Sequence, residues 1–141
     1  MKTIGIWGLE LLKKFEECDL HSYPNGFGSY YIGYGHIETD PNKVITEKTA
    51  EKILVEDCQD YAYYIDGLDL YINTYQRDAL IAFGFDCKMT ALKSVCKENS
   101  IEEIGNAFLK YTKSLDSRTS EELLKRRQAE RELFFTIAHL K

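Results

Sequence analysis

The chain has 141 residues, of which 44% are hydrophobic and 13% are aromatic. This composition suffices for the core of one compact domain and differs from that of a disordered chain. The formal net charge of −5 argues against nucleic acid as a general partner. No stretch has the apolar length that a membrane-spanning helix needs, so membrane insertion is not expected.

The N-terminal segment lacks the features of a secretory signal. Lys2 is present, but Glu10 interrupts the apolar residues early, and no small-residue cleavage site follows. We therefore expect no signal peptide and a protein that stays in the cytoplasm of the cell that makes it.

The cysteines and histidines form no metal-binding pattern. Neither a Cys-x-x-Cys pair nor a zinc-type spacing occurs, so no metal and no cofactor are expected. In a reducing compartment the cysteines are expected to be free thiols. The residues concerned are Cys18, Cys58, Cys87, Cys96, His21, His36 and His139.

The first predicted element is an amphipathic helix over residues 4–15. Trp7, Leu11 and Phe15 recur at helical spacing and are expected to form its buried face. Glu16 follows this helix directly.

A β-hairpin is predicted next. Asn25-Gly26, flanked by strand-like residues, is a strong hairpin signal. A strand is predicted over residues 30–36, and residues 37–44 are expected to form a polar loop or a further edge strand.

The remainder of the chain is predicted to be helical. Thr46 is expected to cap a long helix that reaches about residue 64. Ser100 with Glu103 predicts a capping box for a later helix. The other predicted helices cover residues 75–85, 91–98, 101–111 and 121–140, and residues 112–120 form the most polar loop. The fold class is therefore α+β and mainly α.

A carboxyl group next to an open strand suggests a site for sugar cleavage. In apolar surroundings a carboxyl group retains its proton more readily, which suits general acid catalysis, and Glu16 follows Phe15. Gly33 and Gly35 alternate with aromatic residues, which would leave one strand face bare for a ligand. A solvated glutamate beside an ordinary hairpin is the alternative interpretation.

Three segments in order carry a family resemblance. Phe15-Glu16, Tyr23 and Ile32-Gly33-Tyr34-Gly35-His36 form the first, residues 75–83 the second and the arginine-rich residues 123–134 the third. Together they resemble the phage-type lysozymes, the glycoside hydrolase group of the phage endolysins. The resemblance implies a single lysozyme domain over residues 1–141. In it, a small α/β lobe at about residues 14–60 contains the hairpin, and a long helix joins it to an all-helical lobe. That lobe covers about residues 61–141 and includes the N-terminal helix.

The resemblance also implies an activity, with two departures at the site. It implies an inverting muramidase that cleaves the β-1,4 bond between N-acetylmuramic acid and N-acetylglucosamine and so lyses bacteria. Glu16 matches the general acid of the family. Asn25 stands where the family has a second carboxylate, and Tyr31 stands where it has a threonine thought to hold water. Asp19 is the local candidate for a substitute carboxylate.

Further roles follow from the same resemblance. His36 and Asp57 are expected to form a structural ion pair between the strand and the long helix. A saccharide groove is expected to be lined by aromatic rings and a glycine, although one or two of the rings could instead fill the core of the small lobe. The groove residues are Phe27, Tyr30, Gly33 and Tyr34.

Basic side chains are concentrated in the C-terminal third. Arg126 and Arg127 are expected to set the charge of the cleft, with pairing to Glu16, and one of the two is expected to be structural. Lys113 and Arg131 are expected to be solvated. The others are expected to hold an anionic wall polymer: Lys110, Arg118, Lys125, Arg126 and Arg127.

The expected partner is bacterial peptidoglycan, bound by a monomer with no nucleic acid and no metal. The resemblance implies that the enzyme remains in the host cytoplasm until a separate membrane-permeabilising protein releases it to the cell wall or periplasm. A wall-binding protein that has lost catalysis is the alternative, favoured by Asn25 and Tyr31 and opposed by Glu16. A helical adaptor without a sugar site would leave the glycine-rich run unexplained.

Overall fold

A computed structural model describes residues 2–113 and 120–137. A three-stranded antiparallel sheet lies near the N-terminus, in the order β1 (Asp19–Pro24), β2 (Tyr30–Gly33) and β3 (His36–Glu38). The predicted hairpin is confirmed, because Pro24 pairs with Tyr30 and residues 25–29 form the connecting loop.

The predicted strand over residues 30–36 is wrong at its end. The chain leaves β2 at Gly33 and turns back, so that Ile32 pairs with His36 of β3. Gly33 and Gly35 have φ values of 64° and 81°, a backbone region that glycine adopts without a steric penalty. The alternating glycines therefore build a tight turn and not a bare strand face.

Helices make up the larger part of the structure. Side chains cap several of them at the N-terminus: Thr46 accepts a hydrogen bond from the Thr49 N–H at 3.1 Å, and Ser100 accepts one from the Glu103 N–H at 3.1 Å. Both N-caps are as predicted, but the Glu103 carboxylate accepts a hydrogen bond from the Ser100 hydroxyl, at 3.1 Å, which is not the reciprocal bond of a capping box. The helices are α1 (Ile6–Phe15), α2 (Glu47–Asp57), α3 (Gln59–Gly67), α4 (Thr74–Cys96), α5 (Ile101–Ala107), a 3-10 turn (Phe108–Lys110) and α6 (Glu121–Phe134).

The helix boundaries differ from the prediction in three places. The long helix expected to reach residue 64 is divided at Cys58 into α2 and α3. The two helices expected over residues 75–85 and 91–98 correspond to the two parts of α4, which is kinked by non-helical backbone angles at Lys88, so the interruption between them is shorter than predicted. The last helix ends at Phe134, and the end predicted for it, at residue 140, lies outside the described residues, as does most of the polar loop.

The core lies between α4 and the helices around it. Phe83 has no exposed surface and stacks on Phe108 with ring centroids 4.8 Å apart. Phe85 is 8% exposed, so both phenylalanines belong to the core. None of the described helices combines the length and the apolar character needed to cross a membrane.

The buried face of α1 differs from the predicted one. Leu9 and Leu12 are buried, whereas Trp7 is 50% exposed. The reason is a close approach to α4: a Cβ atom at Gly8 would lie 2.9 Å from the backbone oxygen of Asp78. The helix is therefore rotated to place Gly8, and with it Leu12, against α4.

A buried carboxylate anchors the start of α1. Asp78 has no exposed surface and accepts hydrogen bonds from the N–H groups of Gly5, at 2.9 Å, and Gly8, at 3.0 Å. These amides belong to the first turn of a helix, where backbone donors lack partners within the helix. Asp78 thus fixes α1, the helix that ends beside Glu16, onto α4.

Candidate active site

Glu16 lies where α1, the β2–β3 turn and α6 meet. Its N–H donates to the carbonyl of Leu12 at 2.8 Å, which holds it to the last turn of α1. Its Oε1 lies 2.9 Å from Nη1 of Arg126, and its side chain is 22% exposed. A Cβ atom at Gly35 would lie 3.9 Å from Glu16 Oε2, so the turn leaves the carboxyl group uncovered on that side.

Arg126 joins two carboxylates from different helices. Its Nη1 also lies 3.4 Å from Oδ1 of Asp86, and its guanidinium stands over the ring of Phe15 at 5.8 Å. Its side chain is only 8% exposed. The expected pairing with Glu16 is therefore found for Arg126.

Arg127 is buried in the same charge cluster. Its guanidinium contacts Asp86 and the thiol of Cys87, and its Nε lies 2.7 Å from Oε1 of Glu130. Burial raises the pKa of Glu130 to about 7, although the positive charges of Arg127 and Arg126 act to lower it. The expectation that Arg126 and Arg127 bind wall polymer is wrong, because both guanidiniums are buried and paired.

Asn25 uses its side chain within the hairpin loop. Its Oδ1 accepts hydrogen bonds from the N–H groups of Phe27, at 2.8 Å, and Ser29, at 3.3 Å. Its Nδ2 donates to Oγ of Ser29 at 3.0 Å. These contacts give Asn25 a structural task in the loop, and its part in catalysis stays a prediction.

Tyr31 shares a face of the sheet with Tyr23. Their rings lie 5.8 Å apart at 59°. The pKa of Tyr23 is raised, first by burial and then by nearby charges that include those of Asp19 and Glu16. This face therefore lies within electrostatic range of Glu16. Tyr23 belongs to the first segment of the family resemblance, and no role was predicted for it.

The predicted groove residues have different surroundings. Phe27 is 83% exposed in the hairpin loop, and Tyr30 is half-buried in β2. Tyr34 packs against the helical core, and Gly33 faces α2, where an added Cβ atom would lie 3.5 Å from that of Ala50. Their role in binding substrate stays a prediction.

His36 and Asp57 join β3 to α2. His36 Nδ1 lies 2.8 Å from Asp57 Oδ2, and both side chains are half-buried. The four cysteines, all among the described residues, are unpaired. In the described part of the chain, no three His, Cys, Asp or Glu side chains are grouped as ligands for a metal ion.

Comparison with known proteins identifies the family. Residues 13–130 match the phage lysozyme family. The chain is 36% identical over 142 residues to the endolysin of Bacillus phage B103; the match covers 92% of the chain and 52% of that protein. The chain thus spans about half the length of this curated relative.

Two further proteins are similar over nearly their whole length. The endolysin of Acyrthosiphon pisum secondary endosymbiont phage 1 is 33% identical over 137 residues, which cover 90% of the chain and 94% of that protein. The muramidase domain of SpmX from Asticaccaulis excentricus has a TM-score of 0.82 at 26% identity, over 97% of the chain and 100% of that domain. The predicted lysozyme-like fold is confirmed, and the chain belongs to the phage lysozyme family.

Proposed function

We propose that the chain is a muramidase that hydrolyses the β-1,4 bond between N-acetylmuramic acid and N-acetylglucosamine in bacterial peptidoglycan. The observation that carries this proposal is the position of Glu16, which is held by Arg126 at 2.9 Å beside the bare turn at Gly35. The named activity of similar proteins, which include a muramidase domain, supports it.

Glu16 acts as the general acid. It protonates the glycosidic oxygen as the bond to the anomeric carbon breaks, and water adds to that carbon from the opposite face. Asn25 cannot take the proton of this water, because an amide is not a base at neutral pH. That proton passes to bulk water or to Asp19. Protonation and a shaped cleft still accelerate the reaction, at a lower rate than two carboxylates would give.

The substrate binds between the two lobes, at about residues 14–60 and 61–141, and a monomer suffices for this. Tyr31 borders the path of the attacking water, while Phe27, Tyr30, Gly33 and Tyr34 line the groove. The His36–Asp57 pair fixes β3 to α2 and takes no part in the chemistry. The protein reaches the wall after release from the host cytoplasm.

A turbidity assay on permeabilised Gram-negative cells tests the proposal. We expect the parent to clear the suspension and Glu16→Gln, which removes the acid but keeps the shape, to lose clearance at least a hundredfold. Glu17→Gln is the matched control, because this substitution removes the same charge at an exposed position. Equal clearance by the parent and Glu16→Gln contradicts the role of Glu16. Binding of murein without clearance by the parent indicates the wall-binding alternative.

A further inference from the structure

A lysine in α4 has a backbone conformation that normally requires glycine. Lys88 has φ of 75° and ψ of 175°, within a helix that continues on both sides. This region is costly for any residue with a Cβ atom, and such outliers cluster at binding and catalytic sites, where the surrounding structure holds them. The strained position therefore suggests a task for the lysine side chain.

The ammonium group of Lys88 has capacity left for a ligand. Its Nζ donates to the carbonyl of Phe85 at 2.7 Å and lies 5.1 Å from the centre of that ring. An ammonium has three donors, so two remain. Among the described carboxylates, none forms an ion pair with Lys88.

Lys88 lines a groove that also includes Gly35, the residue next to the acid. The groove has a volume of about 310 Å³, and its lining includes Gly35, Tyr61 and Lys88. Gly35 is also the residue that borders Glu16, where an added Cβ atom would lie 3.9 Å from Oε2. The lining carboxylate, Asp57, is engaged by His36. Lys88 is thus a positive charge without a carboxylate partner among the described residues, and it lies in a groove that shares a wall with the acid.

We propose that Lys88 binds a carboxylate of the peptidoglycan strand, on the lactyl group of muramic acid or on its peptide stem. This inference rests on the proposed function and names the feature of the substrate that the groove selects. A charge-assisted hydrogen bond from Lys88 favours a strand that contains muramic acid over a neutral polymer of N-acetylglucosamine, which has no carboxylate to offer.

Binding to purified murein sacculi, measured by sedimentation in a Glu16→Gln background, tests this assignment. Lys88→Gly removes the ammonium and relieves the strained φ, so its melting temperature should not fall. We expect Lys88→Gly to bind murein about tenfold more weakly and Lys88→Arg to stay within about threefold of the parent. Lys93→Ala is the matched control for loss of a positive charge, because Lys93 stands over Tyr64, which does not line this groove.

Chemical amidation of the murein carboxyl groups identifies the ligand atom. Amidation should weaken murein binding by the protein that retains Lys88 to the level seen with Lys88→Gly. It should have little further effect on binding by Lys88→Gly itself. Both proteins should bind neutral N-acetylglucosamine oligomers alike. Unchanged murein binding by Lys88→Gly, or an equal effect of amidation on both proteins, overturns the assignment. The protein with Glu16 intact could instead show the carboxylate-dependent binding but never cleave the strand. That result would contradict the muramidase proposal and leave the assignment of Lys88 standing.

Discussion

Asn25 is an amide at a position where the family resemblance places a carboxylate. Its Oδ1 accepts two backbone hydrogen bonds, and its Nδ2 donates to Ser29 Oγ. An aspartate could accept the same two backbone bonds, and the Ser29 hydroxyl could donate to its second oxygen. The loop therefore tolerates a carboxylate at position 25.

Asn25→Asp is expected to raise the rate of wall clearance about tenfold to a hundredfold. In the proposed mechanism a carboxylate at position 25 accepts the proton of the attacking water or stabilises the developing cation. Asn25→Asp combined with Tyr31→Thr should exceed either change alone, because we propose that the phenol borders the path of the attacking water. Turbidity assays measure both effects.

The control for this prediction is Asn42→Asp, which makes the same charge change in another loop, where Asn42 is exposed. It should leave clearance unchanged. If Asn25→Asp leaves turnover unchanged or lower in correctly folded protein, the role assigned to position 25 is wrong.

At the scale of elements, the anchoring of α1 decides where Glu16 lies. Asp78→Ala is expected to lower the free energy of unfolding by about 2–4 kcal/mol, because the N–H groups of half-buried Gly5 and buried Gly8 lose their acceptor. Urea denaturation measures this change. Asp60→Ala, at an exposed position of α3, is the control and should cost no more than about 0.5 kcal/mol. An equal effect of the two substitutions would refute the anchoring role of Asp78.

Local sequence signals predicted the elements but not the exact positions of their breaks. Asn25-Gly26 indicated the hairpin, and the hydroxyls of Thr46 and Ser100 indicated helix starts, because each acts on backbone within a few residues. The turn at Gly33–Gly35 was taken for a strand, since alternating glycines fit both a strand and a chain with positive φ. The break at Lys88 lies in the interruption predicted between residues 85 and 91, but its exact position has no signal in residue type, because lysine ordinarily favours continued helix.

The residues around Glu16 were only partly predictable. Glu16 follows from its place after an apolar helix, and a pairing with Arg126 was among the expectations. The burial of Arg127 depends on Asp86 and Glu130, and the role of Asp78 depends on α1 lying against α4. Pairing with a residue far along the chain, as for Asp86 or Asp78, becomes visible only once the helices are packed.

At the scale of the whole molecule, one charge cluster joins α1, α4 and α6. Two buried arginines, Arg126 and Arg127, face three carboxyl groups, those of Glu16, Asp86 and Glu130. The cluster therefore has one negative charge in excess when all three are ionised. A proton on the most buried carboxyl group removes that excess, which agrees with the raised pKa of Glu130.

Stability should depend on pH through Glu130. Its pKa is raised by burial from 4.5 to about 7, so the folded protein holds this proton more tightly than the unfolded chain does. The stabilisation of the folded protein by this bound proton is complete below about pH 4.5 and is lost as the pH rises through about 7. Between pH 4.5 and pH 8, the free energy of unfolding should fall by about 1–3 kcal/mol more in the parent than in Glu130→Gln.

Denaturation by urea at several pH values measures this difference. Glu132→Gln is the control, because Glu132 is exposed on the same helix and should leave the pH dependence of the parent intact. Identical pH dependence in the parent and Glu130→Gln would show that Glu130 is ionised throughout this range.

The most direct measurement is the identity of the new reducing ends formed when the protein digests purified murein. The account predicts that borohydride reduction of the digest gives muramitol, because cleavage by a muramidase leaves N-acetylmuramic acid at the reducing end. Glu16→Gln should give none above background, and Glu17→Gln should match the parent. Reduced N-acetylglucosamine in place of muramitol, no new reducing ends from the parent, or undiminished muramitol from Glu16→Gln would contradict the account.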